Sequence, residues 1–255
     1  MPKFFVKNNQ IKDGVLVIQN QDNYHIKKVL RKKVNDEIVV CDNENRIDYI
    51  CKIISFEEEK TICKILKENE CEENKSNIKI SIFQGIPKSD KMELIIQKSV
   101  ELGMNDITPV IMERCIVKLT EKDKIKKIDR WKKISEVAAK QSGRNIIPNV
   151  NECILFRNIE SIIKQYDMFI VAYENEKENT LKNQIKELKK VLVNKEKKDN
   201  VEIAILIGPE GGITKDEIDY IKKNNGKIIT LGTRILRTET VALNMISILM
   251  YEFEN

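Results

Sequence analysis

Residues 201–212 read VEIAILIGPEGG, a short apolar run that stops abruptly at a Pro and three Gly. The run is too short for most helices and is bounded by turn residues, the pattern of a strand buried inside a sheet. The loop behind it holds three of the nine Gly in the chain. Gly relieves steric limits on the backbone at an entropic cost. Either the chain turns sharply here, or something approaches the main chain closely.

Outward from this stretch, strands and helices alternate. Downstream, TKDEIDYIKKNNG (214–226) predicts a helix with Thr214 as N-cap, Glu217 completing a capping box and Gly226 at the end. KIITLG (227–232) predicts a strand, and TETVALNMISILMYEFE (238–254) a closing helix. Upstream, IKISIFQGI (78–86), DITPVI (106–111) and DMFIVAYE (167–174) read as strands. KSDKMELIIQKSVELG (88–103) reads as a helix capped by Ser89 or Asp90 and closed by Gly103. RWKKISEVAAKQSG (130–143) reads as another, with Ile134, Val137 and Ala138 on one face. This alternation predicts a parallel α/β sheet covered on both faces.

Residues 1–72 have a different rhythm. GVLVIQN, DEIVVCD, RIDYICKIISF and KTICKIL are β-branched runs broken by Asp, Asn and Gly, as in a small barrel or sandwich. The polar ENECEENKSN (68–77) reads as a linker. Two domains are therefore expected: a β module over 1–72 and an α/β module over 73–255. YHIKKVLRKKV (24–34) gathers five cationic side chains, either a solvated helix face or a surface for phosphates.

Composition sets limits. A chain of 255 residues, 41% hydrophobic and 33% charged, is ordinary for a globular protein. The net charge of +5 permits a nucleic-acid partner without demanding one. Residues 1–72 carry thirteen basic and thirteen acidic side chains, so the excess lies in the second module. The six Cys show no CxxC spacing, and the one His, His25, excludes His-dependent triads and multi-His metal sites. His25 is expected to pack or hydrogen-bond. No metal is expected, nor a membrane span, since no apolar run is long enough. MPKFFVKNNQ has no apolar h-region, so reduced thiols and a cytoplasmic location are the expectation.

Ligands of open α/β sheets bind outside the carboxyl ends of strands. Three such ends are unusual: VAYE (171–174), LIGPEGG (206–212) and LGTRILRTET (231–240). None is a common nucleotide fingerprint, and Pro209 lacks the N–H that a phosphate nest would use. The Gly-rich loop is either a tight turn or a surface whose backbone groups suit a flat neutral group such as a purine. In RILRTET, two Arg stand where the helix dipole is already positive. They call for an anionic partner, either Glu residues of the same fold or a phosphate. The hydroxyls of Thr238 and Thr240 are suitable caps.

These loops carry a resemblance. IGPEGG, LGTRILRTETVA, and KMELIIQKSVELG with ITPV and ERC upstream, resemble the RsmE family of SPOUT-class methyltransferases, which make 3-methyluridine in 16S ribosomal RNA. HIKKVLR, the W…I…AAKQSGR…P series and AYE also fit, so the resemblance spans nearly the whole chain. It implies an α/β domain with a C-terminal trefoil knot, joined to a small N-terminal PUA-like β-barrel that binds RNA. It further implies S-adenosylmethionine as methyl donor, a homodimer with its active site at the subunit interface, and 16S rRNA within the small ribosomal subunit as substrate. Carried onto this chain, the cofactor residues are Tyr173, Glu174, Ile207, Gly208, Glu210, Gly211, Gly212, Leu231, Gly232, Ile235, Leu236, Arg237 and Thr240. Glu239 is the candidate base or orienter, paired otherwise with Arg234 or Arg237, and Arg144 and Arg237 are candidate anion stabilisers. Lys28, Arg31 and Arg114 are candidate rRNA phosphate contacts. Lys140 stands where the family often carries Glu, and it is given no functional role. A 2′-O-ribose or tRNA-base methyltransferase of the same class, and a non-catalytic RNA-binding ribosome-assembly protein, are the competing readings.

Overall fold

The computed structural model describes residues 3–45, 47–70, 78–192 and 201–254. The chain divides into two compact units, Met1–Lys75 with Val137–Ile147, and Ser76–Glu136 with Pro148–Asn255. Most of the segment read as a linker, residues 71–77, lies outside the described residues.

The first unit is built on six strands: β1 (Lys3–Val6), β2 (Ile11–Lys12), β3 (Val15–Gln19), β4 (Glu37–Asp42), β5 (Ile47–Phe56) and β6 (Lys60–Glu70). They pair in the order β1-β4-β5-β6-β3-β2, antiparallel except for β1 beside β4. Alternation buries one face: Phe4, Leu16, Ile18, Ile38, Val40 and Ile53 are each at most 1% exposed. Two register shifts along β5 and β6 bend this pair. Helix α1 (Asn20–Tyr24) runs into a π-helical turn over His25–Val29, which buries Ile26 beneath the basic stretch. His25 packs edge-on against Phe4. The segment 137–147 belongs to this unit, and Lys140 there pairs with Asp22 at 2.9 Å, a structural contact.

The second unit carries β7 (Ile78–Gly85), α2 (Lys91–Glu101), β8 (Asp106–Ile111), α3 (Glu121–Ser142, whose end from Val137 onward belongs to the first unit), β9 (Asn149–Val150), β10 (Ile154–Leu155), α4 (Ile159–Ile163), β11 (Met168–Ala172), α5 (Leu181–Leu192), β12 (Val201–Ile207), α6 (Lys215–Lys223), β13 (Lys227–Ile229) and α7 (Thr238–Glu254). The sheet runs β10-β8-β7-β12-β11-β13 with β9 against β8, and every pairing is parallel. The opening stretch is thus central: β12 lies between β7 and β11, and Ile203, Ala204, Ile205 and Leu206 are fully buried. Each buried Ile or Leu among them stabilises the fold by about 1.5–3 kcal/mol.

The helices follow their sequence signals, with three differences. Thr214 accepts from the Glu217 N–H and the Glu217 carboxylate accepts from the Thr214 N–H, the predicted capping box. At the other end of α6, however, Asn225 takes the left-handed conformation at φ 69° rather than Gly226. At α2, Asp90 occupies the N-cap position without a side-chain cap, and Ser89 sits at φ 52°. In α3, Val137 is 52% exposed, because Trp131, Ser135 and Ala138 set the buried stripe and turn residue 137 outward.

Among the described residues no helix is long and apolar enough to cross a membrane, and no cluster of ligating side chains could hold a metal. The five described Cys are free thiols. Burial pushes Cys51 and Cys63 up to about 12. Both therefore remain protonated and unlabelled by iodoacetamide at pH 8 in the native protein, and react once it is unfolded in denaturant. Mass spectrometry of the labelled peptides reads this directly, and native labelling of either would contradict the packing described.

Candidate active site

Parallel register brings the three unusual loops to one edge. Met168–Val171 pairs with Ile203–Leu206, and Ile170–Ala172 with Lys227–Ile229, so β12, β11 and β13 end side by side. A cavity of about 330 Å³ lies among their ends. Apolar side chains of Ile207, Ile213, Leu231, Leu236 and Val241 line it beside exposed backbone and charged groups.

Tyr173 anchors the first loop. Its N–H donates to the Ile229 carbonyl at 2.9 Å and its ring packs on the core beneath. Asn179 secures the third loop, donating to the Ile228 carbonyl at 2.6 Å and accepting from the Thr230 N–H at 2.8 Å through its own carbonyl. The second loop is tied at both ends. The Thr238 hydroxyl donates to the Gly208 carbonyl at 2.8 Å and accepts from Gln84 Nε2 at 2.9 Å. Thr238 thus bridges two loops instead of capping α7, because the Gly208 carbonyl would otherwise keep only a long contact from Gln84 Nε2, at 3.5 Å.

The Gly residues of GPEGG serve both a turn and a close approach. Gly212 sits at φ 73°, where a Cβ is strained. Gly211 lies so near Arg114 that an added Cβ would meet its backbone oxygen at 3.0 Å, and Arg114 Nη1 donates to the Gly211 carbonyl at 3.0 Å. Arg114, a candidate phosphate contact, therefore already supports the loop.

Most of the expected cofactor residues line the cavity: Tyr173, Glu174, Ile207, Gly208, Glu210, Gly212, Leu231, Gly232, Ile235, Leu236 and Arg237. Gly211 and Thr240 do not. Gly211 faces Arg114, and two residues of helical rotation carry Thr240 from Thr238 to the other side of α7, beside Leu243 and Asn244. Ile235, at 85% exposure, is an apolar side chain held in solvent at the cavity rim.

The charges are arranged differently from the sequence expectation. Glu239 pairs with neither Arg234 nor Arg237, which are exposed and form no ion pair among the described residues. Its partner is Lys91, whose Nζ stands 3.5 Å from Glu239 Oε2 and 3.0 Å from Glu210 Oε1. The longer contact lies outside hydrogen-bond geometry, and Glu239 Oε2 is buried without a hydrogen bond. Lys91 lines the cavity, whereas Glu239 is not among its lining residues. Burial pushes Glu210 up, but hydrogen bonds from its own backbone, Lys91 and the Lys88 N–H hold its carboxyl below the usual range. Lys91 is raised, chiefly by its hydrogen bond to Glu210. Lys91 lacks any sequence signature, since its partners lie more than a hundred residues away. Arg144, Lys28 and Arg31 belong to the first unit, where Lys28 and Arg31 are exposed.

The donor set suits an adenosine-like ligand bearing a cationic group. Apolar side chains line the cavity together with the carboxylates of Glu174 and Glu210, of which Glu210 is already paired with Lys91.

Comparison with known proteins agrees. The family model for an RNA methyltransferase domain matches residues 74–250. Ribosomal RNA small subunit methyltransferase E of Bacillus subtilis is 33% identical over all of this chain and 98% of its own length. The namesake of Mesomycoplasma hyopneumoniae is 30% identical, over 97% of this chain and 98% of its own. Among solved structures, ribosomal RNA small subunit methyltransferase E of Neisseria gonorrhoeae bound to S-adenosyl methionine superposes with a TM-score of 0.81, at 29% identity, covering 98% of this chain and 97% of that one. A Legionella pneumophila methyltransferase with bound cofactor SAM gives 0.82 at 26% identity, over 98% and 96%. The chain belongs to the RNA methyltransferase family, within the ribosomal RNA small subunit methyltransferase E group.

The junction at Thr238 gives a test. Thr238→Val keeps the shape but removes the donor to Gly208 and the acceptor for Gln84. The variant should lose about 1–3 kcal/mol of stability, the penalty for stranded buried polar groups. Chemical denaturation measures it, and a change under 0.5 kcal/mol would remove the junction from this account.

Proposed function

We propose that this enzyme transfers the methyl group of S-adenosylmethionine to N3 of a uridine in 16S ribosomal RNA of the small subunit, in the cytoplasm, as a homodimer. One observation carries the reading: the cavity at the ends of β11, β12 and β13 gathers nearly every residue that the family resemblance assigns to the cofactor.

Bound S-adenosylmethionine supplies a methyl group on a sulfonium, which leaves as a neutral thioether. The chain must do the rest. Uracil N3 carries a proton, and the neutral imide is a poor nucleophile, so that proton has to depart. A positioned base contributes roughly 10²–10⁴-fold, and alignment of the reactants contributes further. In this reading Glu239 is the base or the group that orients it, the only His being remote in sequence and packed against Phe4. Arg237 at the cavity, and Arg144 brought by the assembled enzyme, offset the charge that develops on the uracil oxygens.

The first unit supplies RNA affinity. Lys27 and Lys32 are engaged with the Glu57 and Glu37 carbonyls, whereas Lys28 and Arg31 stand exposed for phosphates. Closure of the first sheet into a PUA-like barrel, and a trefoil knot in the second unit, belong to the same reading. The path from β12 over β11 to β13 and back to α7 against β7 and β12 supports the knot. The outer side of α7, with Leu243, Ile248 and a 71% exposed Tyr251, offers a surface to a second copy.

Nucleoside mapping of 16S rRNA treated with the enzyme and S-adenosylmethionine should reveal 3-methyluridine. A 2′-O-methyl nucleoside would replace this reading with the ribose alternative, and no methylation with the assembly-protein alternative. Glu239→Gln should lower turnover more than tenfold while S-adenosylmethionine affinity persists. Near-normal turnover would exclude Glu239 as base.

A further inference from the structure

Lys91 is the first residue of α2, a place where the helix dipole disfavours a cation. It nevertheless stands there, with its ammonium between two carboxylates from different loops. Glu210 comes from GPEGG, at 3.0 Å, and Glu239 from the first turn of α7, at 3.5 Å. The turn before α2 is bent toward the same point. Ser89 adopts φ 52°, a conformation that residues with a Cβ rarely hold, and the Lys88 N–H donates to both Glu210 oxygens at 3.1 and 3.2 Å.

We propose that Lys91 is a charge clamp that holds the GPEGG loop to the start of α7 and so fixes the shape of the cofactor cavity. The proposal rests on the S-adenosylmethionine reading above. An isolated, half-exposed ion pair contributes little. Here one cation separates two like charges that approach the same point, and Glu239 Oε2 is buried without a hydrogen bond. Without the ammonium, the Glu210 and Glu239 carboxylates that both approach Lys91 Nζ have no counter-charge among the described residues. Arg234 and Arg237, on the connecting loop, are exposed and pair with neither carboxylate among the described residues. The two carboxylates then repel, and the walls from which they project move apart. Lys91 is accordingly a positioning residue for the cofactor, acting through the loops it joins.

Calorimetric titration of the full chain with S-adenosylmethionine tests this without reference to turnover. Lys91→Met should weaken binding by roughly tenfold, a change of about one decade in Kd. Lys91→Arg keeps the cation and should stay within about threefold of the parent. The decisive variant combines Lys91→Met with Glu239→Gln, which leaves Glu210 and its bonds from the Lys88 N–H in place. Removing one carboxylate relieves the repulsion, so the double variant should bind more tightly than Lys91→Met alone. Parent-like affinity in Lys91→Met, or a double variant weaker than the single, would overturn the clamp. A parent chain that does not bind S-adenosylmethionine would instead overturn the cofactor reading.

Discussion

When β12 ends at Ile207, the Gly208 carbonyl leaves the sheet and needs a donor. It finds one in the Thr238 hydroxyl, thirty residues later, which is itself held by Gln84 at the end of β7. Three strand-end segments are joined by these two hydrogen bonds. The geometry of the cavity depends on them, because Gly208 and Thr238 both line it and come from different loops. The bond from Gln84 is buried and the bond to Gly208 part-buried, and Thr238 is 6% exposed, so water competes little for them. The sheet beneath is parallel throughout, and its carboxyl ends open on one side. A ligand site outside those ends is the usual consequence of such a sheet.

Much of this was legible in the residues. VEIAILI reads as a buried strand because a strand covered on both faces has no need of polar alternation. Thr214 and Glu217 declare the start of α6, since a capping box is a local interaction with fixed spacing. The three loops were recognisable by composition, and the register of β11 with β12 and β13 makes them neighbours. What escaped has a common cause. The clamp at Lys91, the Arg114 bond to Gly211 and the Gln84 bond to Thr238 each join residues far apart in sequence, so no spacing signals them. Strands β9 and β10, two residues each, are too short for periodicity. Val137 shared a helical face with Ile134 on paper, but the Trp131 side chain claimed the interior and rotated that face. The grouping of 137–147 with the first unit is likewise a tertiary fact.

Charge placement gives the site its character. Carboxylates of Glu174 and Glu210 and guanidinium groups of Arg234 and Arg237 share the cavity with apolar walls. Such a mixture suits a ligand that has a flat apolar part and carries charge of both signs. It also leaves Ile235 exposed at the rim, between Arg234 and Arg237 in sequence.

The central claim is that the loops after β11, β12 and β13 together form the S-adenosylmethionine pocket. A crystal structure of the full chain grown with S-adenosylmethionine tests it most directly. The account predicts ligand density within the cavity, with the adenosine against the backbone of 207–212 and 231–238. Density elsewhere on the chain, or an empty cavity at saturating ligand, would contradict it.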